Sequence, residues 1–282
     1  MRVLLHSKSH IVADIPGFIR EETEDSYADA DLTAEEAGRL CYLSWHRPNQ
    51  KTAGNVGYLL NICTQKHYSV LGHSSASFYI DEISRNCTHE MIRHRWFTFS
   101  EVSQRYVDAE SFWFPGHPGL ADLEDSHKDK LQSAFLDSKE SYREIVSSLE
   151  DKGYGRKKAR QTARSVLPGG TETKILMSGN LRAWRDFLAQ RLSPMADVEI
   201  RNVALEIYKI LKSEFPNSFR DFDSQGLITV ERLIARALYR FDMDDAFFNS
   251  PVRIGSGSFV GEVRNILEKG LWVLETDPWE EA

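Results

Sequence analysis

Residues 93–106 of the chain read RHRWFTFSEVSQRY, with three arginines, a histidine and four aromatic side chains among fourteen residues. Arginine carries only hydrogen-bond donors, in a planar fork that matches phosphate and carboxylate oxygens. The aromatic rings offer flat apolar surface, and Ser103 and Gln104 can orient a polar heterocycle. The stretch suits an anionic, aromatic ligand such as a nucleotide or a flavin. Composition alone supports equally well a solvated basic turn followed by a half-buried strand.

The overall composition favours a globular protein with one localised anion site. The chain has 282 residues, of which 41% are hydrophobic and 27% charged, and its net charge is −7. A negative chain is a poor general binder of nucleic acid or of anionic membranes. No apolar run approaches the roughly 18 residues that span a bilayer, and the first residues do not resemble a signal peptide. Three widely spaced cysteines fit a reducing compartment, so we expect a cytoplasmic protein.

Hydrophobic periodicity predicts a helix-rich α+β fold, with a mixed sheet flanked by helices. A capping box at Thr33–Glu36 predicts that the first helix begins at about Ala34 and ends near Trp45. We expect a catalytic domain over residues 1–222 and a C-terminal helical extension over residues 223–282. The expected strands are Val3–His6, Val70–Ile83 and Thr171–Ser178. The further expected helices are Asn55–Lys66, Ser84–Arg95, Leu123–Lys152, Arg156–Val166, Leu181–Leu192, Ala196–Phe215, 228–241 and 259–274.

Metal binding and cysteine catalysis both find little support. His89 and His94 lie five positions apart, about 140° around a helix, whereas a zinc-protease motif needs histidines at i and i+4 on one face. No other pair of histidine and cysteine residues has ligand spacing, so no metal is expected. Cys87 falls in an apolar stripe and fits a small buried hydrophobe better than a nucleophile.

The order of residues in the opening stretch is more specific than its composition. Arg93-His94-Arg95, seven further residues and then Ser103-Gln104-Arg105 fit the pattern RHR-x7-S-x-R. This pattern resembles the signature of the flavin-dependent thymidylate synthases. The resemblance runs from about Leu40 to Phe222 and implies a thymidylate synthase-complementing-like fold. It includes residues 51–55 (KTAGN), 69–73 (SVLGH), 163–168 (ARSVLP), 178–185 (SGNLRAWR) and 196–201 (ADVEIR).

The resemblance implies roles for individual residues, with some overlap between the sets. Arg93, Ser103 and Arg191 are expected to be catalytic. The residues expected to bind FAD are His73, Arg93, His94, Arg95, Glu101, Asn180 and Arg182. The residues expected to bind the nucleotide are Glu90, Arg93, Glu101, Ser103, Gln104, Arg105, Arg164 and Arg191.

The assignments of Asn180, Arg191 and Arg164 have alternatives. Asn180 is also suited to cap the helix that follows it, and Arg191 is a favourable charge near a helix C-terminus. The basic run from Arg156 to Arg164 is either a solvated helix face or a nucleic-acid contact. Within the resemblance only Arg164 of this run has a role, and Arg156–Arg160 is expected to be ordinary surface.

The implied reaction is C5-methylation of a uridine 5′-monophosphate nucleotide, from dUMP to dTMP, with UMP as a further possible substrate. It implies FAD, NADPH and 5,10-methylenetetrahydrofolate, and a homotetramer with shared active sites. Gly72 and Met195 stand where the family usually has a glutamate and a histidine, which indicates a specialised member. The alternatives are a dedicated UMP methylase of nucleoside-antibiotic biosynthesis, a flavin-dependent hydroxymethylase, and a nucleotide-binding protein without redox chemistry.

Overall fold

A computed structural model of the protein describes residues 1–13, 15–16, 28–47, 49–223 and 226–227. The helices expected at 228–241 and 259–274 lie outside the described residues. The division into a catalytic domain over residues 1–222 and an extension over 223–282 therefore stays a prediction.

A four-stranded sheet forms the centre of the described part of the chain, in the order β1-β2-β4-β3. Each neighbouring pair is antiparallel, so the sheet differs in this detail from the mixed sheet expected from sequence. In the register of β4, Ile175 lies opposite Ile80, and Met177 lies opposite Phe78 and Phe99. The strands are β1 (Arg2–Lys8), β2 (Ser75–Ser84), β3 (Phe97–Glu101) and β4 (Glu172–Asn180), with two short strands, β5 (Phe222–Asp223) and β6 (Gly226–Leu227), further on.

Seven α-helices accompany the sheet within the described residues, and they confirm the helix-rich α+β fold class. Apolar side chains of α6 and α7 are buried, whereas α4 buries little beyond Phe135 and Tyr142. The helices are α1 (Asp29–Leu40), α2 (Asn55–Thr64), α3 (Arg85–Met91), α4 (Asp125–Asp151), α5 (Arg156–Ala163), α6 (Leu181–Arg191) and α7 (Val198–Glu214).

Trp184 of α6 fixes that helix against the sheet. Its indole is fully buried, with ring centroids 4.9 Å from Phe78 of β2 and 4.6 Å from Phe97 of β3. Its Nε1 donates to the carbonyl of Ala76 at 3.0 Å. Edge-to-face aromatic contacts of this kind contribute about 0.5–1.5 kcal/mol each beyond the area they bury. This packing places the start of α6 beside the start of β2 and the end of α6 near the turn that precedes β3.

The predicted start of the first helix was wrong. α1 begins at Asp29, and the Thr33 hydroxyl lies inside the helix, where it donates to the Asp29 carbonyl at 2.7 Å instead of capping the terminus. Ala30 and Leu32 are buried, so the apolar face starts one turn earlier than the capping signal indicated. The helix also ends at Leu40, not at Trp45.

The second strand also begins later than predicted. Residues Tyr68–Gly72 form a short 3₁₀ helix, and β2 starts at Ser75 instead of Val70. Val70 and Leu71 are buried within that turn, which explains why an apolar run alone indicated a strand. Gly72 and His73 consequently lie just before the sheet, at the end where β4 stops.

A buried polar network ties α1 to the turn after α7. The Asp31 carboxylate accepts from the backbone N–H groups of Asn217 and Ser218, both at 3.0 Å, and from the Ser218 hydroxyl. The Asn217 amide donates to Asn55 Oδ1 at 2.8 Å, and Asn55 donates to Glu35 Oε2 at 2.9 Å. Burial raises the pKa of Asp31 to about 6, although these hydrogen bonds oppose the shift.

The wild-type protein is expected to lose stability as the pH rises from about 4 to about 6, because of Asp31. Replacing Asp31 by asparagine is expected to abolish this loss. In the unfolded chain an aspartate titrates near 4, and in the folded protein Asp31 titrates at about 6. The folded state therefore holds the proton more tightly, and stability falls as the pH rises through this interval, by about 3 kcal/mol. Urea unfolding across the interval measures the effect, with Asp129→Asn, an exposed residue of α4, as the control. A variant with the wild-type pH profile would contradict the assignment.

Candidate active site

The Arg93–Arg95 segment is a turn between α3 and β3. Helix α3 ends at Met91, so the prediction that it continues to Arg95 was wrong. The Arg93 N–H bonds the Glu90 carbonyl at 3.3 Å, and the His94 N–H bonds the Met91 carbonyl at 3.0 Å. The turn buries His94 and leaves the side chains of Arg93 and Arg95 exposed.

His94 is a neutral hydrogen-bond acceptor at the base of this turn. Its ring centroid lies 5.0 Å from Phe187 and 6.4 Å from Phe97. Burial lowers the pKa of His94 below its usual value, and the adjacent Arg191 lowers it further. The neutral ring can therefore accept on Nε2 from Arg191 Nε, at 2.9 Å, with its own proton on Nδ1.

Arg191 joins two other residues expected to form the site, His94 and Glu90. Beyond its bond to His94, its Nη1 donates to Glu90 Oε2 at 2.6 Å and its Nη2 reaches the Glu90 carbonyl at 3.3 Å. Arg191 is also the last residue of α6, where a cation is favoured by the helix dipole. These bonds hold the Arg191 guanidinium in one orientation. Glu90 accepts from it at a place where an oxygen of an anionic ligand could also accept.

A cavity of about 280 Å³ lies between the turn and the C-terminal half of α6. On one side it is lined by Arg93, His94, Arg95 and Trp96. Trp96 is 74% exposed, so its indole face is available to a ligand. The opposite side consists of Asp186, Gln190 and Arg191.

His73, Asn180 and Arg182 meet at the end of the sheet where β2 starts and β4 stops. Asn180 lies opposite Ser75 in the register, and a Cβ added at Gly72 would lie 3.9 Å from Asn180 Nδ2. Asn180 Oδ1 accepts from the Ala183 N–H at 2.8 Å, which confirms the helix-cap interpretation. His73 and Arg182 are exposed. Met195, the other departure from the family pattern, is 93% exposed.

Ser103, Gln104 and Arg105 form a second turn, at the opposite end of β3. The Ser103 carbonyl accepts from the N–H groups of Tyr106 and Val107, at 3.1 and 3.0 Å. Gln104 is buried. The Nε atom of Arg105 is buried as well and has no hydrogen-bond partner among the described residues. A buried guanidinium nitrogen without an acceptor is costly, so the turn is suited to a ligand that supplies oxygen atoms.

Arg160 of α5 holds this second turn in place, and sequence analysis missed it. Its Nη1 donates to the Tyr106 carbonyl at 2.7 Å and its Nη2 to Asp108 Oδ2 at 2.6 Å. Its side chain is only 13% exposed, so the expectation of ordinary surface was wrong for this residue. The available signal was the position of Arg160 beside Ala159 and Ala163, the two alanines that α5 buries. Arg164 itself is exposed.

Lys157 adds a further cation to the same turn. Its ammonium lies 4.6 Å from the centre of the Tyr106 ring. The hydrogen bond and charge of Lys157 lower the pKa of the Tyr106 hydroxyl. Cations from α5 therefore converge on the residues that follow Arg105.

Glu101 faces the interior of the fold. Its carboxylate accepts from Arg85 Nη2 at 3.1 Å, from the Thr88 hydroxyl at 2.8 Å and from the Thr173 hydroxyl at 3.0 Å. These contacts tie β3 to α3 and β4. The expected contact of Glu101 with flavin or nucleotide stays a prediction.

Strand β3 separates the two turns. Its five residues span roughly 16 Å, with Arg93–Arg95 before its first residue and Ser103–Arg105 beyond its last. The structure thus brings Glu90, His94 and Arg191 together on one side, and places Ser103, Gln104 and Arg105 on the other.

The buried cysteines are poor nucleophiles. Burial raises the pKa of the Cys63 thiol to about 12, and it also raises the pKa of Cys87. Cys87 is 2% exposed, which confirms that it is a small buried hydrophobe. Among the described residues no group of three or more His, Cys, Asp or Glu side chains has the arrangement of a metal site. No helix there is long and apolar enough to cross a bilayer.

Comparison with known proteins identifies the family. The family model described as thymidylate synthase complementing protein matches residues 24–217. A flavin-dependent thymidylate synthase of Mycobacterium avium is 48% identical over 206 residues, which cover 69% of this chain and 82% of the relative. Proteins of the same name from Mycobacterium bovis and Mycobacterium tuberculosis are 45% identical over 232 residues, covering 79% of this chain and 90% of each relative.

The chain belongs to the thymidylate synthase complementing protein family, and its arginine-rich turns carry the cations of the candidate site. The resemblance inferred from the motif is thereby confirmed, as is the expectation of an enzyme of this family.

Replacing Arg160 by alanine is expected to loosen the second turn. Two charge-assisted hydrogen bonds are lost, so amide hydrogen exchange at Tyr106 and Val107 should accelerate about tenfold or more. Arg156→Ala is the matched control. Arg156 is on the same helix, but its side chain is 74% exposed and its ion pair with Glu150 is long, at 3.8 Å. Unchanged exchange in Arg160→Ala would show that the turn is held without this residue.

Proposed function

We propose that the protein is a flavin-dependent thymidylate synthase that methylates C5 of a uridine 5′-monophosphate nucleotide. The primary substrate is dUMP, with 5,10-methylenetetrahydrofolate as the carbon donor, NADPH as the reductant and FAD as the bound flavin. Family membership supports the reaction class. The observation that carries the proposal is the Nε of Arg105, which is buried within the RHR-x7-S-x-R pattern and has no hydrogen-bond partner in the part of the chain that the structure describes.

The second turn fits the nucleotide. Arg105 can offer a fork of donors to phosphate or uracil oxygens, and the adjacent Gln104 offers both a donor and an acceptor. Arg164 is exposed, and Arg160, one helical turn before it, braces the turn that contains Arg105. This concentration of cations on a negatively charged chain matches a dianionic phosphate.

The first turn and the adjoining sheet end fit the flavin. Arg93 and Arg95 are exposed cations that can balance negative charge on a reduced ring or a pyrophosphate. The Asn180 amide oxygen caps α6, while its NH₂ group donates to none of the described residues. When bound, flavin supplies hydride transfer from NADPH and the folate supplies the carbon. The residues of the chain then bind, orient and shield the ligands, which is consistent with the inert buried thiols.

Arg191 acts in this scheme as a preorganised donor. Neutral His94 fixes Nε of the guanidinium at 2.9 Å, and Glu90 accepts from Nη1 at 2.6 Å. A ligand oxygen that approaches Arg191 meets a group whose orientation is already set, so little ordering entropy is lost on binding.

We further propose that each active site takes its two turns from different copies of the chain, as in a homotetramer with shared sites. The turns flank a strand of roughly 16 Å, so a second copy is the simplest way to place Arg93–Arg95 beside Ser103–Arg105. This arrangement makes the site incomplete in a single chain.

The reaction is tested by tritium release from 5-tritiated dUMP and, in parallel, 5-tritiated UMP. Purified protein with FAD should show flavin absorption at about 450 nm, and label should be released when folate and NADPH are added. Mass analysis of the product separates methylation from hydroxymethylation. Flavin binding without release from either nucleotide would refute the methylation reaction, and the ratio of the two rates reports the preferred sugar.

Replacing Arg105 by alanine is expected to weaken dUMP binding about 10- to 100-fold, since a charge-assisted, desolvated donor is lost. Isothermal titration with dUMP in the presence of FAD measures the effect. Arg156→Ala serves as the control for the loss of one positive charge. Near-normal affinity in Arg105→Ala would show that the nucleotide binds elsewhere.

Co-expression of Arg93→Ala and Arg105→Ala chains is expected to restore activity that neither variant has alone. If each site uses the two turns of different chains, random assembly leaves about one quarter of the sites with both turns intact. If both turns of a site come from one chain, no site is intact and activity stays absent. Samples in which each variant assembles with itself provide the baseline.

A further inference from the structure

The first turn of α5 is a cluster of exposed cations to which the proposed reaction assigns no ligand. The helix has four lysine and arginine side chains among its eight residues and no carboxylate, in a chain whose net charge is −7. One of the four, Arg160, braces the second turn and is only 13% exposed. The other three side chains are exposed, and together they are called the α5 cluster: Arg156, Lys157 and Lys158.

The α5 cluster is poorly neutralised by the chain itself. Arg156 lies 3.8 Å from Glu150, which is long for an ion pair. Within the described part of the chain, Lys157 and Lys158 form no ion pair with a carboxylate. The helix dipole favours acidic side chains in a first turn, and like charges held side by side repel one another. An anion from outside the chain would therefore stabilise this turn.

Exposed aromatic rings lie next to the α5 cluster. Tyr154, two residues before the helix, is 50% exposed. Tyr106 of the second turn is 62% exposed, and the Lys157 ammonium lies 4.6 Å from the centre of its ring. Cations combined with exposed rings are the features by which proteins bind single-stranded nucleic acid, because the phosphates pair with the cations and the unpaired bases stack on the rings.

Other polyanions would use only part of this surface. The bases of a duplex are stacked on one another, so they are not available to a tyrosine at the protein surface. Inorganic polyphosphate and anionic lipid headgroups would neutralise the cations, but they have no flat ring to cover the tyrosines. A single strand of RNA or DNA supplies both kinds of contact.

We propose that the α5 cluster and Tyr154 bind a single-stranded nucleic acid without preference for sequence. Each cation of the cluster pairs with a phosphate, and Tyr154 stacks on an unpaired base. RNA and DNA bind alike, because the contacts are made to phosphates and base faces that both share. This binding lies outside the proposed reaction and does not depend on it. The competing interpretations are a solvated helix face and a surface that binds any polyanion.

The experiment measures binding of a labelled single strand of about twelve adenylates to the FAD-loaded protein, by fluorescence anisotropy. Dissociation constants of about 10⁻⁴ to 10⁻⁶ M are expected at physiological salt. Three phosphate contacts predict that the logarithm of the affinity falls against the logarithm of the salt concentration with a slope of about −2. RNA and DNA strands are compared, and each titration is repeated with saturating dUMP. The nucleotide site is separate, so dUMP should change the affinity less than about twofold.

Two variants separate the charge from the stacking. Arg156→Gln combined with Lys158→Gln removes two phosphate contacts, so it should weaken binding about tenfold and reduce the slope to about −0.7. Tyr154→Ala should weaken binding at least about fivefold and leave the slope unchanged. Lys128→Gln combined with Lys130→Gln is the matched charge control, because both lysines are exposed in the first two turns of α4. An abasic strand of the same length should bind the wild type at least about fivefold more weakly.

Weaker binding of both variants and of the abasic strand, with the control variant unchanged, would support the nucleic-acid surface. It is overturned if no saturable binding occurs, or if the control variant loses as much affinity as the α5 variant. Equal binding of the abasic strand would show a general polyanion surface instead. Displacement of the strand by dUMP would place it in the nucleotide site, which also contradicts the proposal. Thermal unfolding of each variant checks that the fold is kept.

Discussion

The packing of Trp184 between β2 and β3 is the constraint on which the candidate site depends. The indole contacts Phe78 on one strand and Phe97 on another, and its N–H is satisfied by the Ala76 carbonyl. Because this contact fixes α6 over the sheet, the first residues of the helix lie beside the start of β2, and its last residue reaches the turn that precedes β3. A smaller side chain at this position would leave a cavity and release both ends at once.

The arginines of the protein divide into those held by internal partners and those left for ligands. Arg160 and Arg191 are tied by short hydrogen bonds to backbone and carboxylate oxygens, and they hold other groups in position. Arg93, Arg95 and Arg164 are exposed. Arg105 has a buried Nε without a partner among the described residues, as Arg160 does, but unlike Arg160 its guanidinium makes no hydrogen bond to any described residue. The first set supplies rigidity and the second supplies charge, which is the division expected of a preorganised anion site.

Much of the fold could be predicted from sequence because strong periodicity marks the long elements. The helices α4, α6 and α7 begin and end within three residues of their predicted limits. Errors arose where local signals competed with burial, as at Thr33, whose capping box lies inside α1, and at Val70, whose apolar run is a buried 3₁₀ turn. The site residues came from the motif, but spacing along the chain could not show that Arg160 is buried or that Glu101 faces inward. Those outcomes depend on tertiary contacts between α5, α3 and the two turns.

The placement of the two motif halves at opposite ends of one short strand also has a genetic consequence. In an assembly with shared sites, each copy of β3 serves two catalytic centres, one through each end. A lesion that distorts this strand in one subunit therefore impairs two centres, and mixed assemblies lose more activity than the fraction of defective chains. Changes confined to either turn impair only one. Damage to the strand should consequently be more dominant in cells carrying two alleles than damage to the ligand-binding residues at its ends.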